Sequence, residues 1–251
     1  MGVLFERRGV AAIVTLDWPE SRNALGLEQT EQLTAAIRLA ADDPQVCGLV
    51  IAGSELAFSA GGNLRGVHKR LDVPEDVRRR AVYGSSQELM RALLDAPVPT
   101  VAAIDGPAIG MGLDLALFCD SRFIGPKGWI MQGWGRIGLV PATGGELLLR
   151  LLSPGSLWHL LEEQPRLGQA EAVRFNLAES SGSMSALERA VARIETLATR
   201  MPREQLESYA RLYRGDLGDR LGKHLEMALE AQLKALRHPD FKARSAKVLV
   251  K

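Results

Sequence analysis

The chain has 251 residues, of which 46% are hydrophobic and 24% charged, a balance typical of a globular protein with one sizeable core. Its 31 Lys and Arg residues nearly balance 30 Asp and Glu residues, giving a formal net charge of +1, so the chain lacks the basic excess of nucleic-acid-binding proteins. Two cysteines and 5% aromatic residues argue against a disulfide scaffold, a four-cysteine zinc site and an aromatic platform for stacking bases.

The sequence shows no pattern that would direct the chain to a membrane or out of the cell. Its N-terminal residues lack the apolar core and small-residue cleavage site that a secretion signal requires. The most apolar stretch, residues 101–119, contains Asp105, Pro107 and Asp114 and is too polar to span a bilayer. We therefore expect a cytoplasmic protein with reduced thiols and with neither membrane nor nucleic-acid partners.

Short apolar runs alternate with helical patterns through the first two-thirds of the chain. Runs typical of buried strands lie at residues 10–16, 46–52 and 98–104, and apolar side chains recur at helical spacing over residues 25–41 and 85–94. Strands that alternate with helices favour βαβ units. The pattern therefore predicts an α/β fold with a mostly parallel, buried sheet.

Helical spacing dominates the C-terminal quarter of the chain. Three apolar stripes, which begin at Ala186, Leu206 and Leu221, predict three helices. We therefore divide the chain into a core at residues 1–184, which carries the ligand site, and a helical region at residues 185–251. This helical region is expected to pack on the core or on a partner subunit.

Glycines are concentrated between residues 53 and 145, and many of them follow a predicted strand. Ligands of open α/β sheets bind beyond the carboxyl ends of the strands, and backbone approaches a ligand closely only where side chains are absent. Three glycine-bearing passages from strand to helix lie at residues 58–64, 104–120 and 138–145. Free N–H groups of two such turns that face each other can point at one oxygen atom and form a backbone oxyanion hole.

Four segments in this order and spacing resemble those of the crotonase (enoyl-CoA hydratase/isomerase) superfamily. These segments are Arg22-Asn23-Ala24-Leu25 and the three glycine-bearing passages. The resemblance covers about residues 3–160 well and the C-terminal helical region more loosely. It implies an α/β spiral of ββα repeats with a C-terminal helical region that trimerises, so that the protein is a homotrimer or a dimer of trimers. A dinucleotide-binding fold is disfavoured, because no Gly-x-Gly-x-x-Gly opens a helix after the first strand.

The same resemblance implies an acyl-coenzyme A ligand. The N–H groups of Gly62 and Met111 match the oxyanion-hole positions of the family, where they would bind the thioester oxygen and stabilise an enolate. It implies no metal and no redox cofactor, since coenzyme A arrives as part of the substrate. The positions that match the substrate and coenzyme path of the family are Arg22, Ala24, Ala60, Gly61, Trp134 and, loosely, Phe241.

The chain departs from the family pattern at the residues that move protons. Hydratases of the family commonly carry two glutamates, and the matching positions here hold Asp114 and Trp134. An indole N–H donates a hydrogen bond but takes no proton, so Trp134 is either a pocket wall or a core residue. Some isomerases of the family place an acid where this chain has Ala142, and Met111 stands where glycine is usual. Asp114 is left as the single acid/base, and its apolar surroundings predict a raised pKa.

The sequence thus predicts an enzyme of the enoyl-CoA hydratase/isomerase type, in which Asp114 isomerises or hydrates an enoyl-CoA through an enolate. Two alternatives remain open: an acyl-CoA decarboxylase, and a non-catalytic acyl-CoA-binding homologue. A peptidase with a Ser-His-Asp triad on a similar fold is disfavoured, because no serine lies in a nucleophile-elbow setting and His68 is the only histidine near the motifs.

Overall fold

A computed structural model gives the structure of residues 2–249, apart from the side chains of residues 78, 80–82 and 249. Residues 1, 250 and 251, at the ends of the two predicted regions, lie outside the described part. The main sheet contains β1 Gly2–Arg8, β2 Ala11–Asp17, β3 Gly48–Ala52, β4 Thr100–Ile104, β6 Ser121–Ile124 and β8 Glu179–Ser180. A second, two-stranded sheet is formed by β5 Pro107–Ile109 and β7 Trp129–Met131.

The main sheet confirms the predicted parallel architecture. Its strands lie in the order β1-β2-β3-β4-β6-β8, with β1 antiparallel to β2 and every other pair of neighbours parallel. Every residue of β3 and β4 is buried, as expected of strands covered by helices on both faces. The apolar pattern does not predict β1, because Glu6, Arg7 and Arg8 are exposed on an edge strand, where charged residues are common.

Helices connect the strands and form the C-terminal part of the chain. Within residues 2–249 the α-helices are α1 Leu27–Asp42, α2 Leu64–Lys69, α3 Glu75–Arg78, α4 Ser85–Asp95, α5 Met111–Leu117, α6 Gly145–Leu152, α7 Leu157–Glu162, α8 Gln169–Arg174, α9 Ala186–Arg200, α10 Arg203–Arg214, α11 Leu217–Leu236 and α12 Pro239–Leu249. A π-helical segment, Arg79–Gly84, precedes α4, and short 3₁₀ turns lie at Pro19–Ser21, Gly135–Ile137 and Pro154–Ser156. No helix between residues 2 and 249 is both long and apolar enough to cross a membrane.

Helices cover both faces of the main sheet. On one face α1 packs on β2 and β3 while α4 packs on α1, and their fully buried leucines, such as Leu33 and Leu93, belong to the larger of two apolar clusters. On the other face α9 packs on β3, β4 and β6 through Ala190 and Ile194. The glycine-bearing passages lie on the side of the larger cluster, which contains Phe58, Met111 and Leu139.

The C-terminal region contains the three helices predicted from the apolar stripes and a fourth helix. The three predicted helices are confirmed as α9, α10 and α11. The His238-Pro239 pair ends α11, but proline is compatible with the first turn of a helix, and α12 begins at Pro239. This fourth helix packs against α2, α11 and the Gly135–Ile137 turn. The division of the chain at residues 184 and 185 stays a prediction.

Candidate active site

A buried hydrogen-bond network joins the loop after β2 to the loop after β3. Asn23 is 2% exposed, and its Nδ2 donates to the carbonyls of Ala57, at 2.9 Å, and Phe58, at 3.2 Å. Its Oδ1 accepts from the Trp18 N–H at 2.8 Å, and Ser59 Oγ donates to the Asn23 carbonyl at 2.7 Å. Asn23 adopts a φ of 57°, a left-handed conformation that asparagine tolerates better than most residues. The network therefore fixes both loops against each other.

Backbone pairing extends this contact to the first predicted oxyanion donor. The Leu25 N–H donates to the Gly61 carbonyl at 2.7 Å, and the Leu25 carbonyl accepts from the Asn63 N–H at 2.8 Å. Between these paired residues, the Gly62 N–H donates no backbone hydrogen bond within residues 2–249. A Cβ at Gly62 would meet no atom within 4 Å, so the space beside this residue is open.

Gly61 brings the same loop onto the start of α5. Its φ is +95°, and a Cβ there would lie 2.5 Å from the Ile109 carbonyl oxygen and 3.5 Å from the Met111 nitrogen, so only glycine fits. Met111 is the first residue of α5, and no earlier helical carbonyl can accept its N–H. In the described part of the chain this N–H has no backbone partner. The unpartnered N–H groups of Gly62 and Met111 therefore lie in neighbouring turns.

Asp114 lies one helical turn beyond Met111 and is completely buried. One carboxylate oxygen, Oδ2, accepts hydrogen bonds from Thr143 Oγ1 at 2.6 Å and from Trp134 Nε1 at 3.0 Å. The other oxygen, Oδ1, has no hydrogen-bond partner among the described residues. Asp114 therefore has one oxygen held in place and one oxygen free for a proton.

Burial raises the pKa of the Asp114 carboxyl from 3.8 to about 7. Loss of water around the charged form is the largest cause, and the negative charge of Glu146 raises the pKa further. The hydrogen bonds from Thr143 and Trp134 act in the opposite direction, because they stabilise the carboxylate. The predicted raised pKa is confirmed, and both protonation states of Asp114 are accessible near neutral pH.

Trp134, which the sequence resemblance matches to a second glutamate, lies beside Asp114. Its side chain is nearly buried, and a Cβ at Gly110 would lie 3.7 Å from its Nε1. The indole therefore lies next to the turn that precedes Met111 while it donates to Asp114. The burial of the ring agrees with a core residue, and a role of Trp134 as a pocket wall stays a prediction.

The remaining predicted ligand positions fall into two groups. Arg22 is exposed, and Ala24 and Ala60 are half-buried beside the Gly61–Gly62 turn, with the Ala60 N–H donating to the Arg22 carbonyl at 2.9 Å. Phe241 lies apart from them on α12, is fully buried, and stacks on His68 with the ring centroids 5.2 Å apart. The structure therefore brings the first three residues together and places Phe241 inside the C-terminal packing.

Three residues that the sequence analysis does not single out contact the buried carboxylate or its neighbours. Thr143 donates to Asp114, and Glu146 acts on it through its charge. Glu146 itself contacts His224 on α11. One signal was visible in the sequence: Glu146 is a charged residue in the first turn of an otherwise apolar helix start, Gly-Glu-Leu-Leu-Leu.

His68, the histidine near the motifs, makes a structural contact. Its Nε2 lies 2.7 Å from Ser245 Oγ, but Ser245 is fully buried and bonds the Phe241 carbonyl. This contact tethers α2 to α12, and a buried serine is not open to attack a peptide. Within residues 2–249, no group of three His, Cys, Asp or Glu side chains is arranged to hold a metal ion.

Known proteins with similar sequences and structures carry one family description. The family model described as enoyl-CoA hydratase/isomerase matches residues 6–248. The Mycobacterium tuberculosis protein named "Probable enoyl-CoA hydratase EchA14" is 31% identical over 245 residues, which cover 94% of this chain and 92% of that protein. A Dictyostelium discoideum protein, "Probable enoyl-CoA hydratase, mitochondrial", is 30% identical over 208 residues, which cover 82% of this chain and 70% of that protein.

A solved structure gives the same result for the fold. The crystal structure of an enoyl-CoA hydratase/isomerase from Mycobacterium paratuberculosis superimposes with a TM-score of 0.86, at 26% identity, over 98% of this chain and 97% of that one. The match spans the main sheet and the C-terminal helices, which confirms the predicted crotonase fold. The chain therefore belongs to the enoyl-CoA hydratase/isomerase family, the crotonases, whose members act on acyl-CoA substrates.

Proposed function

We propose that the chain catalyses a proton shift in an enoyl-CoA thioester through an enolate. The observation that carries this proposal is the fully buried carboxyl of Asp114, one helical turn beyond the unpartnered N–H of Met111. The family implies an acyl-CoA substrate, and a carboxyl with a pKa of about 7 suits an acid/base that must both take and give a proton at neutral pH.

The N–H groups of Gly62 and Met111 would bind the thioester oxygen. Two backbone donors aimed at this oxygen stabilise the negative charge that develops there when a proton leaves the neighbouring carbon. Loss of one such donor typically raises the barrier by about 3–4 kcal/mol. Because both groups belong to the backbone, substitution of the side chains leaves these donors in place.

Asp114 would move the proton. As a carboxylate, it takes a proton from C2 of a 3-enoyl thioester, and the resulting dienolate carries its charge on the thioester oxygen. The same carboxyl then returns the proton to C4, which gives the 2-enoyl thioester. Thr143 and Trp134 hold Oδ2 throughout, so the two donors orient the carboxyl without competing for the proton. Hydration with Asp114 as the single acid/base would be slower than isomerisation, because Trp134 takes no proton and a general acid–base step contributes about 10²–10⁴-fold.

The coenzyme would lie against the exposed Arg22 and the half-buried Ala24 and Ala60. Small side chains at the last two positions leave room for the pantetheine chain next to the Gly61–Gly62 turn. The guanidinium of Arg22 suits a phosphate, since it offers several N–H donors in one plane.

The experiment follows turnover of 2-enoyl-, 3-enoyl- and carboxyacyl-CoA thioesters by the wild type and by Asp114→Asn. We expect the 3-enoyl thioester to be isomerised, and the variant to be slower by about 100-fold or more. The control is Asp95→Asn, an exposed carboxylate at the end of α4, which should retain the wild-type rate. An unchanged rate in Asp114→Asn would contradict the proposal, and release of carbon dioxide from the carboxyacyl thioester would favour the decarboxylase.

A non-catalytic acyl-CoA-binding protein is the second candidate. It is favoured by Trp134, which takes no proton, at the position matched to the second family glutamate, and by the low exposure of Met111 and Trp134, at 4% and 8%. Calorimetry with the same thioesters separates the two candidates. Saturable binding without turnover of any thioester would favour the binding protein, whereas turnover would exclude it.

We also propose that the chain assembles as a homotrimer or a dimer of trimers, as the family resemblance implies. Trp158, Leu212 and Tyr213 are 79%, 75% and 67% exposed in the single chain, and large apolar side chains this exposed commonly mark association surfaces. Light scattering of the purified protein tests the proposal, and a monomeric mass at micromolar concentration would contradict it.

A further inference from the structure

Glu146 is a second carboxylate beside Asp114 that the proposed proton shift does not use. It lies in the first turn of α6, and its Oε1 contacts Nε2 of His224 on α11. Its other oxygen, Oε2, is buried and has no hydrogen-bond partner among the described residues. A carboxylate oxygen that has lost water without gaining a donor is costly, so this position calls for an explanation.

The free oxygen of Asp114 lies against the residue before Glu146. A Cβ added at Gly145 would collide with Asp114 Oδ1, which places Oδ1 directly against the backbone of α6. Helices α5 and α6 are packed on each other. Each of the two helices therefore carries one carboxylate with one unpartnered, buried oxygen. Two like charges held in poorly hydrated surroundings oppose each other's ionisation.

His224 is the group that can offset the charge of Glu146. The side chains of His224 and Glu146 are 19% and 22% exposed, so this pair lies between the buried Asp114 and solvent. When the imidazole is protonated, its positive charge compensates that of Glu146, and when it is neutral, the Glu146 charge acts undiminished.

A groove on the α11 side of this pair carries charged residues of both signs. The groove, of about 600 Å³, runs along the same turns of α11, and Arg91 on α4 and Asp219, Lys223 and Glu226 on α11 line it, two positive and two negative residues. Glu146 is the charged group that acts on Asp114, while Thr143 and Trp134 contribute neutral donors.

We propose that Glu146 is a positioning residue whose charge acts on the Asp114 carboxyl across the contact of α5 with α6, and that His224, which contacts Glu146, sets the strength of this effect. The consequence for turnover rests on the proposed function, but the effect on the protonation of Asp114 does not. The proposal therefore allows a measurement that needs no substrate.

The test is an infrared titration of the Asp114 carboxyl, obtained as the difference between each protein and the same protein carrying Asp114→Asn. In Glu146→Gln we expect the midpoint to fall by about half a pH unit or more, because a nearby negative charge is lost. In His224→Gln we expect the midpoint to rise, because Glu146 loses its compensating charge. Glu146→Gln combined with His224→Gln should titrate like Glu146→Gln alone, since His224 acts through Glu146.

Glu226→Gln is the matched control, since it removes a negative charge that is exposed on α11 two residues from His224. It should leave the midpoint unchanged. An unchanged midpoint in folded Glu146→Gln, or an equal fall in Glu226→Gln, would overturn the proposal. If Glu146→Gln does not fold, the His224→Gln titration decides, and a midpoint that stays or falls there is the overturning result.

Turnover then separates this inference from the proposed function. A shifted infrared midpoint with an equally shifted pH profile of kcat supports both. A shifted infrared midpoint with an unmoved pH profile supports the role of Glu146 and contradicts Asp114 as the acid/base.

Discussion

The indole nitrogen of Trp134 donates a 3.0 Å hydrogen bond to Oδ2 of the buried Asp114. The residue that replaces the second family glutamate is thus a donor to the first acid position. This hydrogen bond stabilises the carboxylate and lowers the Asp114 pKa, against the larger effect of burial. Trp134 therefore orients the carboxyl and tunes its ionisation, and it leaves Oδ1 as the oxygen that can exchange a proton.

Trp134→Phe should raise the Asp114 pKa above its wild-type value of about 7, because one of two donors to Oδ2 is removed. The infrared midpoint of Asp114, and the pH profile of turnover, should both move to higher pH. The smaller ring and the lost hydrogen bond should also lower the free energy of unfolding by about 1–3 kcal/mol. Trp158→Phe is the control, since Trp158 is exposed and should change neither quantity. A midpoint that falls in Trp134→Phe would contradict the assigned role.

Asp114→Asn should change how stability depends on pH. The folded pKa of Asp114 is raised, from 3.8 to about 7, so the native state holds its proton more tightly than the unfolded state does. The wild type therefore loses stability from this group as pH rises from about 4 to 7, by up to roughly 4 kcal/mol in total. The Asp114→Asn variant, which has no carboxyl at this position, should not lose this part of its unfolding free energy as pH rises.

Urea denaturation at pH 5 and pH 8 measures the effect. Relative to wild type, Asp114→Asn should gain about 2–3 kcal/mol in unfolding free energy between pH 5 and pH 8, whatever its stability at pH 5. The exposed Asp95→Asn should show no such difference. Equal pH dependence of wild type and Asp114→Asn would mean that Asp114 is ionised in the native protein well below neutral pH.

Two adjacent glycines should respond differently to alanine. Gly61→Ala places a Cβ 2.5 Å from the Ile109 carbonyl oxygen at a φ of +95°, so we expect a loss of about 1–3 kcal/mol or more in unfolding free energy. Gly62→Ala meets open space and should stay within about 0.5 kcal/mol of wild type. Chemical denaturation of both variants tests the contact between the loop and α5. Similar losses in both would argue against this close approach.

Apolar runs and glycine turns in the sequence predict the buried strands and the tight turns of the fold. Strands β3 and β4 are predictable because every residue in them is buried, and the glycine turns indicate where backbone meets backbone. Strand β1 is exposed and charged, so its apolar pattern is weak. Helix α12 begins at Pro239, within the His238-Pro239 pair that ends α11, and its packing on α2 and α11 accounts for a further helix there.

In the candidate site, too, contacts between residues far apart in the sequence could not be predicted. The resemblance identifies Gly62, Met111 and Asp114, because these positions lie within two short motifs. The contacts of Asp114 with Thr143 and of Glu146 with His224 join residues 29 and 78 positions apart. Such contacts depend on how α5, α6 and α11 pack together, which no local pattern encodes. The burial of Phe241 is equally a result of tertiary packing.

Arg214 should be among the most sensitive positions outside the site. Its Nε and Nη2 bind both carboxylate oxygens of Asp120, at 2.9 and 2.6 Å, and its guanidinium also donates to carbonyls at the end of α4 and before β4. The side chain is only 7% exposed, so its removal leaves a poorly hydrated Asp120 with the N–H and hydroxyl of Thr100 as donors but without a compensating charge, and takes the guanidinium donors away from these carbonyls.

Arg214→Ala should therefore lower the free energy of unfolding by about 3–5 kcal/mol, and Arg214→Lys should lower it less, since an ammonium restores the charge but not the planar pair of donors. Arg220→Ala removes an exposed partner of Asp216 and should cost less than about 1 kcal/mol. Urea denaturation of the three variants measures these differences. A loss in Arg214→Ala no larger than that in Arg220→Ala would show that the Arg214–Asp120 pair does not hold α10 to the core.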